Sequence, residues 1–119
     1  MKQCILIIED DPELSELVEF FLQEEGYSTS VVNDGGLAFP KIIEMQPSMV
    51  ILDMHLPNVS GMEILSLIRG DERVEQTKVL VTTADSKMAQ SARPMADVIL
   101  NKPFNADDLV HEVQRLNVS

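Results

Sequence analysis

The chain has 119 residues, 45% of them apolar, and a net charge of −11 from 9 Lys and Arg against 20 Asp and Glu. That length suits one domain with one unstapled core, no apolar run is long enough to span a bilayer, and the acidic balance disfavours nucleic acid phosphates and anionic membranes as direct partners. The single cysteine, Cys4, reads as a small buried core residue with neither a disulfide framework nor zinc spacing, and with no secretory signal after the lone Lys2 the expectation is a cytoplasmic protein forming a single domain over residues 1–119.

Apolar runs and amphipathic stretches alternate along the chain. QCILII (3–8) predicts a first strand. In PELSELVEFFLQEEG (12–26), Leu14, Leu17, Val18, Phe21 and Leu22 recur at helical spacing, with Pro12 in a first turn and Gly26 just past the end. STSVVN (28–33) predicts a second strand, and DGGLAFPKIIEMQ (34–46) a weaker helix whose start is loosened by Gly35 and Gly36 and which Pro40 is expected to bend or delay. SMVILD (48–53) predicts the third strand. SGMEILSLIRGD (60–71) predicts a helix capped by Ser60 and ended by Gly70. KVLVTTA (78–84), SKMAQSARPM (86–95), DVIL (97–100) and NADDLVHEVQRLN (105–117) complete the series as strand, short helix, short strand and last helix. Asn105 caps the last helix, and its Leu109, Val113 and Leu116 face inward.

Five such units imply an α/β fold, with a parallel sheet covered by helices on both faces and right-handed crossovers. Ligands of such sheets bind beyond the carboxyl ends of the strands. Those ends carry Glu9, Asp10 and Asp11, then Asp53, then Thr82, Thr83 and Ala84, then Asn101, Lys102 and Pro103. Crowded carboxylates in a cleft repel one another and are costly to bury; a hard divalent cation such as magnesium, an oxygen-seeking ion, relieves that cost. Lys102 offers a point charge for a phosphate oxygen, Thr83 offers a hydroxyl, and Asp53 a carboxylate able to attack phosphorus.

The ordered set ILIIEDDPEL, VILDMHLPNVSG, VLVTTADS and ILNKPF resembles the receiver domain of two-component response regulators over essentially the whole chain. The resemblance implies a flavodoxin-like (βα)5 three-layer sandwich with strand order 2-1-3-4-5, an order for which the chemotaxis receiver is a standard illustration. It implies that Asp53 accepts a phosphoryl group from the phosphohistidine of a sensor histidine kinase or phosphotransfer protein, with Mg2+ as cofactor and a downstream effector domain or protein as the other partner. Metal ligands would be Asp10, Asp53 and the backbone carbonyl of His55, with Glu9 acting mainly through water. Thr83 and Lys102 would meet the phosphoryl group. The chain would be no enzyme towards other substrates and would catalyse only its own phosphorylation and dephosphorylation. Pro103 suggests a cis Lys102–Pro103 bond. Four positions depart from the pattern: Ile99 replaces a common Tyr or Phe, Met95 a common Gly, Glu9 makes the acidic pair Glu-Asp rather than Asp-Asp, a common form, and Glu112 replaces an Arg that many transcription-factor receivers use to dimerise. The departures leave the proposed chemistry whole but put an aromatic output switch in doubt.

Plainer readings stand beside these. Asp53 alone would serve as a cap or turn residue. The cluster 9–11 would serve as a solvated cap, a role assigned to Asp11. Lys102 alone would be a surface lysine, only one of Thr82 and Thr83 can face the site, and the His55 ring is set aside in favour of its backbone. His111 is expected to be exposed, and the methionines to fill the core. Other functions fit less well. An aspartate-nucleophile phosphatase would need an Asp where His55 stands. A nucleotide or flavin module would need a Gly-rich or Ser/Thr-rich loop where the chain has EDDPE.

Overall fold

A computed structural model describes residues 3–116. They form β1 (Cys4–Ile8), α1 (Pro12–Glu24), β2 (Ser28–Val32), α2 (Gly35–Met45), β3 (Met49–Asp53), α3 (Gly61–Arg69), β4 (Lys78–Thr83), α4 (Ser86–Ala92), β5 (Val98–Asn101) and α5 (Ala106–Leu116). All strand pairs are parallel, in the order β2-β1-β3-β4-β5, the expected flavodoxin-like order.

Strand alternation sorts the core into two layers. Ile5, Ile7, Met49, Ile51 and Leu80 pack with Val18 and Leu22 of α1 and with Leu109 and Val113 of α5. Leu6, Ile8, Val50, Leu52, Val79 and Val81 pack with Ala38 and Ile42 of α2, with Ile64, Leu65 and Ile68 of α3, and with Ala92 of α4. The central β3 is therefore buried at every position, including Asp53. The edge strand β2 keeps its Ser and Thr side chains partly in solvent, as a sheet margin allows.

Each helix starts at a side-chain cap on the carboxyl side of the sheet. Asp11 accepts from the Glu13 and Leu14 amides, Asp34 from Gly36, Ser60 from Glu63, Asp85 from Lys87 and Met88, and Asn105 from Asp108. These bonds satisfy donors that the first helical turn leaves unpaired. At the other end of α1, Gly26 takes φ 93°; its amide donates to Gln23 O and that of Tyr27 to Leu22 O, the paired bonds of a Schellman motif.

Four local expectations are corrected. Leu17 is 49% exposed, because the α1 stripe that meets the sheet is centred on Val18 and Leu22. Cys4 is half-buried rather than buried, since it opens β1 at the margin of the core. Pro40 lies inside α2, which nonetheless starts at Gly35 without delay; the ring sits on an exposed face. The terminal residues read into several elements, such as Asn33 and Asp34, flank or cap them instead, whereas Asn105 caps α5 as expected. Residue 117, read into the last helix, lies outside the described residues.

Candidate active site

Register brings the strand ends together. Ile8 lies level with Leu52, Asp53 with Thr82, and Thr83 with Asn101. Residues that follow these positions therefore converge at one edge of the sheet.

Asp53 ends β3 with 3% of its surface exposed. Its Oδ1 accepts from the His55 amide at 3.3 Å, and its Oδ2 lies 3.4 Å from Lys102 Nζ. Glu9 is also buried. Its Oε1 accepts from Lys102 Nζ at 2.9 Å and its Oε2 from the Asp11 amide at 3.2 Å. Asp10 is exposed. Carboxylate oxygens of Glu9, Asp10 and Asp53 all lie within 4.8 Å of one another. The backbone of Lys102 is fixed by its amide, which donates to Thr83 O at 2.9 Å, and the Lys102–Pro103 bond is cis as expected.

Burial pushes the Glu9 carboxyl up to about 7, against the pull of Lys102 and the Asp11 amide and with further upward pressure from Asp53. For Lys102, burial works against the charge most strongly, yet Glu9 and Asp53 together outweigh it and hold the ammonium above its ordinary range. Both shifts have one origin: anionic oxygens are gathered where little water reaches them.

Three hard oxygen donors from three residues, one of them open to solvent, suit a divalent cation that keeps several waters. The His55 ring is exposed and is not among the grouped ligand atoms. Asp11 is taken up as the α1 cap.

Thr83 is fully buried, but its hydroxyl is turned to the start of α4. It accepts from the Asp85 amide at 3.0 Å and donates to Asp85 O at 3.5 Å. By strand alternation Thr82, level with Asp53, shares the face of Leu80 and Ile51, whereas Thr83 shares that of Val81. Sequence reasoning passed over two further residues at this edge, Asn33 and Asn58. Asn33 Nδ2 donates to Glu9 O at 2.6 Å, and Asn58 Nδ2 to Asp34 Oδ1 at 2.8 Å. Asn33 follows a strand on the carboxyl side, the one signal that would have marked it.

Beside Lys102 lies an apolar hollow of about 320 Å³ lined by Leu14, Ala84, Pro103 and Phe104. A larger hollow of about 400 Å³ on α3, lined by Met62, Glu63, Ser66 and Leu67, offers a single ionisable group.

Known proteins resemble this chain in sequence and in fold. A family model described as the response regulator receiver domain matches residues 5–114. The DNA-binding response regulator MtrA of Mycolicibacterium smegmatis is 32% identical over 114 residues, covering 96% of this chain and 50% of the relative. The DNA-binding dual master transcriptional regulator RpaA of Synechocystis is 34% identical over 115 residues, covering 94% and 48%. The chain thus spans about half the length of the curated relatives it matches. Among solved structures, the chemotaxis response regulator CheY4 of Vibrio cholerae superposes with a TM-score of 0.91 at 25% identity, covering 98% of this chain and 99% of that one. The receiver domain of sensor histidine kinase PA1611 from Pseudomonas aeruginosa, with a magnesium ion coordinated in its active-site cleft, gives 0.86 at 26% identity and covers 98% of each chain.

Proposed function

The chain belongs to the response regulator receiver domain family of two-component systems, and from that premise we propose that Asp53 is its phosphoacceptor, served by Lys102, Thr83 and a magnesium ion. The observation that carries the proposal is the Lys102 ammonium set between Glu9 Oε1 and Asp53 Oδ2 at the carboxyl edge of the sheet, with Asp10 beside them.

An Asp53 carboxylate oxygen attacks the phosphorus of a phosphohistidine in line. The O–P bond forms, the N–P bond breaks, and the leaving imidazole takes up a proton. Asp10, Asp53 and the His55 carbonyl would hold a magnesium ion, with Glu9 acting mainly through water, and the ion would supply positive charge against the phosphoryl oxygens. Lys102 gives up its resting contacts and pairs with one of those oxygens. Such catalysis is positioning and electrostatics rather than covalent chemistry by further groups. Thr83 ends β4; on phosphorylation its hydroxyl leaves the Asp85 amide and turns to the phosphoryl group, carrying the start of α4 with it. Water later attacks phosphorus and regenerates the Asp53 carboxylate.

The phosphodonor is a sensor histidine kinase or phosphotransfer protein, for which the apolar hollow at Leu14, Pro103 and Phe104 offers a seat beside the acceptor. The output partner is a downstream effector domain or protein. Direct contact with nucleic acid or membrane is not part of the proposal: the net charge is −11, and among the described residues no helix is long and apolar enough to cross a membrane. A cytoplasmic setting completes it. Incubation with magnesium and acetyl phosphate, followed by intact mass, tests the reading. Wild type gains one phosphate and Asp53→Asn gains none; phosphate on His55 or His111 instead would overturn it.

A further inference from the structure

Two side chains at the outer end of β2 reach opposite sides of the carboxylate site. On the β1 side, the Glu9 amide donates to Val32 O at 3.1 Å and the Glu9 carbonyl accepts from Asn33 Nδ2 at 2.6 Å, so the backbone of this residue is gripped from both ends by β2. Asn33 Nδ2 also lies 3.5 Å from the hydroxyl of buried Ser15, which donates to Pro12 O at 3.0 Å. On the β3 side, the loop that carries His55 turns at Asn58, whose φ is 70°. Its side-chain amide donates to Asp34 Oδ1 at 2.8 Å, the oxygen that also caps α2 through the Gly36 amide at 2.8 Å. Gly35 between them has no Cβ, and one built there would run into the Val59 and Pro57 carbonyls; the corner and the loop therefore meet backbone to backbone.

The paired register of β1 and β3 ends at Ile8 and Leu52, short of Glu9, Asp10 and the 54–60 loop. We infer that Asn33 and Asp34 are positioning residues for metal binding: the β2–α2 corner braces both sides of the carboxylate cluster and holds them at their spacing, touching no metal itself. The inference rests on the receiver reading above. Crowded carboxylates spread when unsupported, and a magnesium site tolerates little departure from its geometry. Partners that orient ligands from outside their shell carry about 10–100-fold in metal affinity.

Calorimetric titration of the whole chain with magnesium chloride tests this on wild type, Asn33→Ala, Asp34→Ala, Asn58→Gly and the Asp34→Ala/Asn58→Gly pair. Glycine at 58 removes the amide without straining the positive φ. Thr29→Val is the control: it removes β2 bonds to Glu19 and Gln23 away from the site. Asn33→Ala and Asp34→Ala are each expected to weaken magnesium about tenfold, at the low end of that range, while Thr29→Val does not. Removing Asp34 from the Asn58→Gly background should cost less than removing it from wild type, because the bond between the two is already gone and only the α2 cap is left to lose. In acetyl phosphate labelling, the half-saturating magnesium concentration of Asn33→Ala should rise about tenfold while its maximal rate stays within about twofold of wild type, a split that general destabilisation does not produce. Unchanged affinity in Asn33→Ala and Asp34→Ala, with wild type binding and Asp10→Asn binding about tenfold or more weakly, overturns the inference alone. A wild type that fails to bind overturns the metal reading and this inference with it. Should Asn33→Ala not fold, Asp34→Ala and Asn58→Gly decide: weakened binding in both upholds the brace, and unchanged binding overturns it.

Discussion

The ammonium of Lys102 rests 2.9 Å from Glu9 Oε1, across 93 positions of sequence, and is nearer to it than to Asp53 Oδ2 at 3.4 Å. The resting cation is thus held chiefly by a carboxylate other than the proposed acceptor. On the proposed reading, this leaves Asp53 less tightly paired than Glu9, and Lys102 would have only a short move to make onto an incoming phosphoryl group.

That relationship separates binding from chemistry. Lys102→Met is expected to leave magnesium affinity at or above that of wild type, since a competing cation is gone from the cluster. Phosphorylation from acetyl phosphate should slow about a hundredfold, the scale for losing one stabilising donor at a charged transition state. Time-resolved intact mass measures the rate; a loss below about twofold would remove Lys102 from the transition state.

Asp10 makes the opposite separation. It is the exposed member of the carboxylate group, so Asp10→Asn should fold as wild type does while weakening magnesium by about tenfold or more. Chelation should abolish phosphate uptake by wild type. Equal magnesium affinity in wild type and Asp10→Asn by calorimetry would exclude Asp10 as a ligand.

Two glycines near the site should respond with opposite sign. A Cβ on Gly61 would stand 2.5 Å from Asp53 O and 2.6 Å from Met54 Cα. Backbone there must shift, so Gly61→Ala should cost about 1–3 kcal/mol and slow phosphorylation by moving the end of β3. At Gly36 the nearest atom outside its neighbours is Asp34 Oδ1 at 3.4 Å, ordinary contact in a helical first turn. Gly36→Ala should stabilise by about 0.5–1 kcal/mol through the unfolded chain. Urea unfolding of both variants checks the pair, and a stable Gly61→Ala would contradict the close packing behind Asp53.

The output face is expected to move without its aromatic switch. Ile99 is half-buried and packs against the core layer that includes Val81 and Ala92; a β-branched side chain has few rotamers and no polar tip to exchange with solvent. Glu112, where an Arg would serve dimerisation, is engaged with Arg115 at 2.6 Å. Structures with and without beryllium fluoride should show Thr83 leaving the Asp85 amide and the 86–93 segment following, with Ile99 keeping its rotamer. Solution mass should remain that of a monomer. A large Ile99 rotation or a tight activated dimer through α5 would refute this account.

Much of this molecule was legible locally. Buried strands declare themselves as unbroken apolar runs, helices as a repeat near 3.6 residues with a capping side chain in front, and alternation of the two selects a parallel sheet. Because every such strand runs the same way, its last residues reach the same edge, and Glu9, Asp10, Asp53 and Lys102 were legible as one cluster from position alone. Period and position are properties of neighbours in sequence. Register, helix placement and side-chain partners are properties of neighbours in space, and only the tertiary structure decided them. It turned Thr83 to Asp85 and left Thr82 level with Asp53. It exposed Leu17 of an α1 stripe wider than the sheet covers. It joined Arg69 to Asp97 and to the Met95, Glu75 and Thr77 carbonyls, and it drew Asn33 and Asp34, unremarkable in a polar strand end, against Glu9 and Asn58. A polar side chain satisfies its hydrogen bonds with whatever the packing of apolar surfaces brings within about 3 Å, and that packing is settled by the whole chain at once.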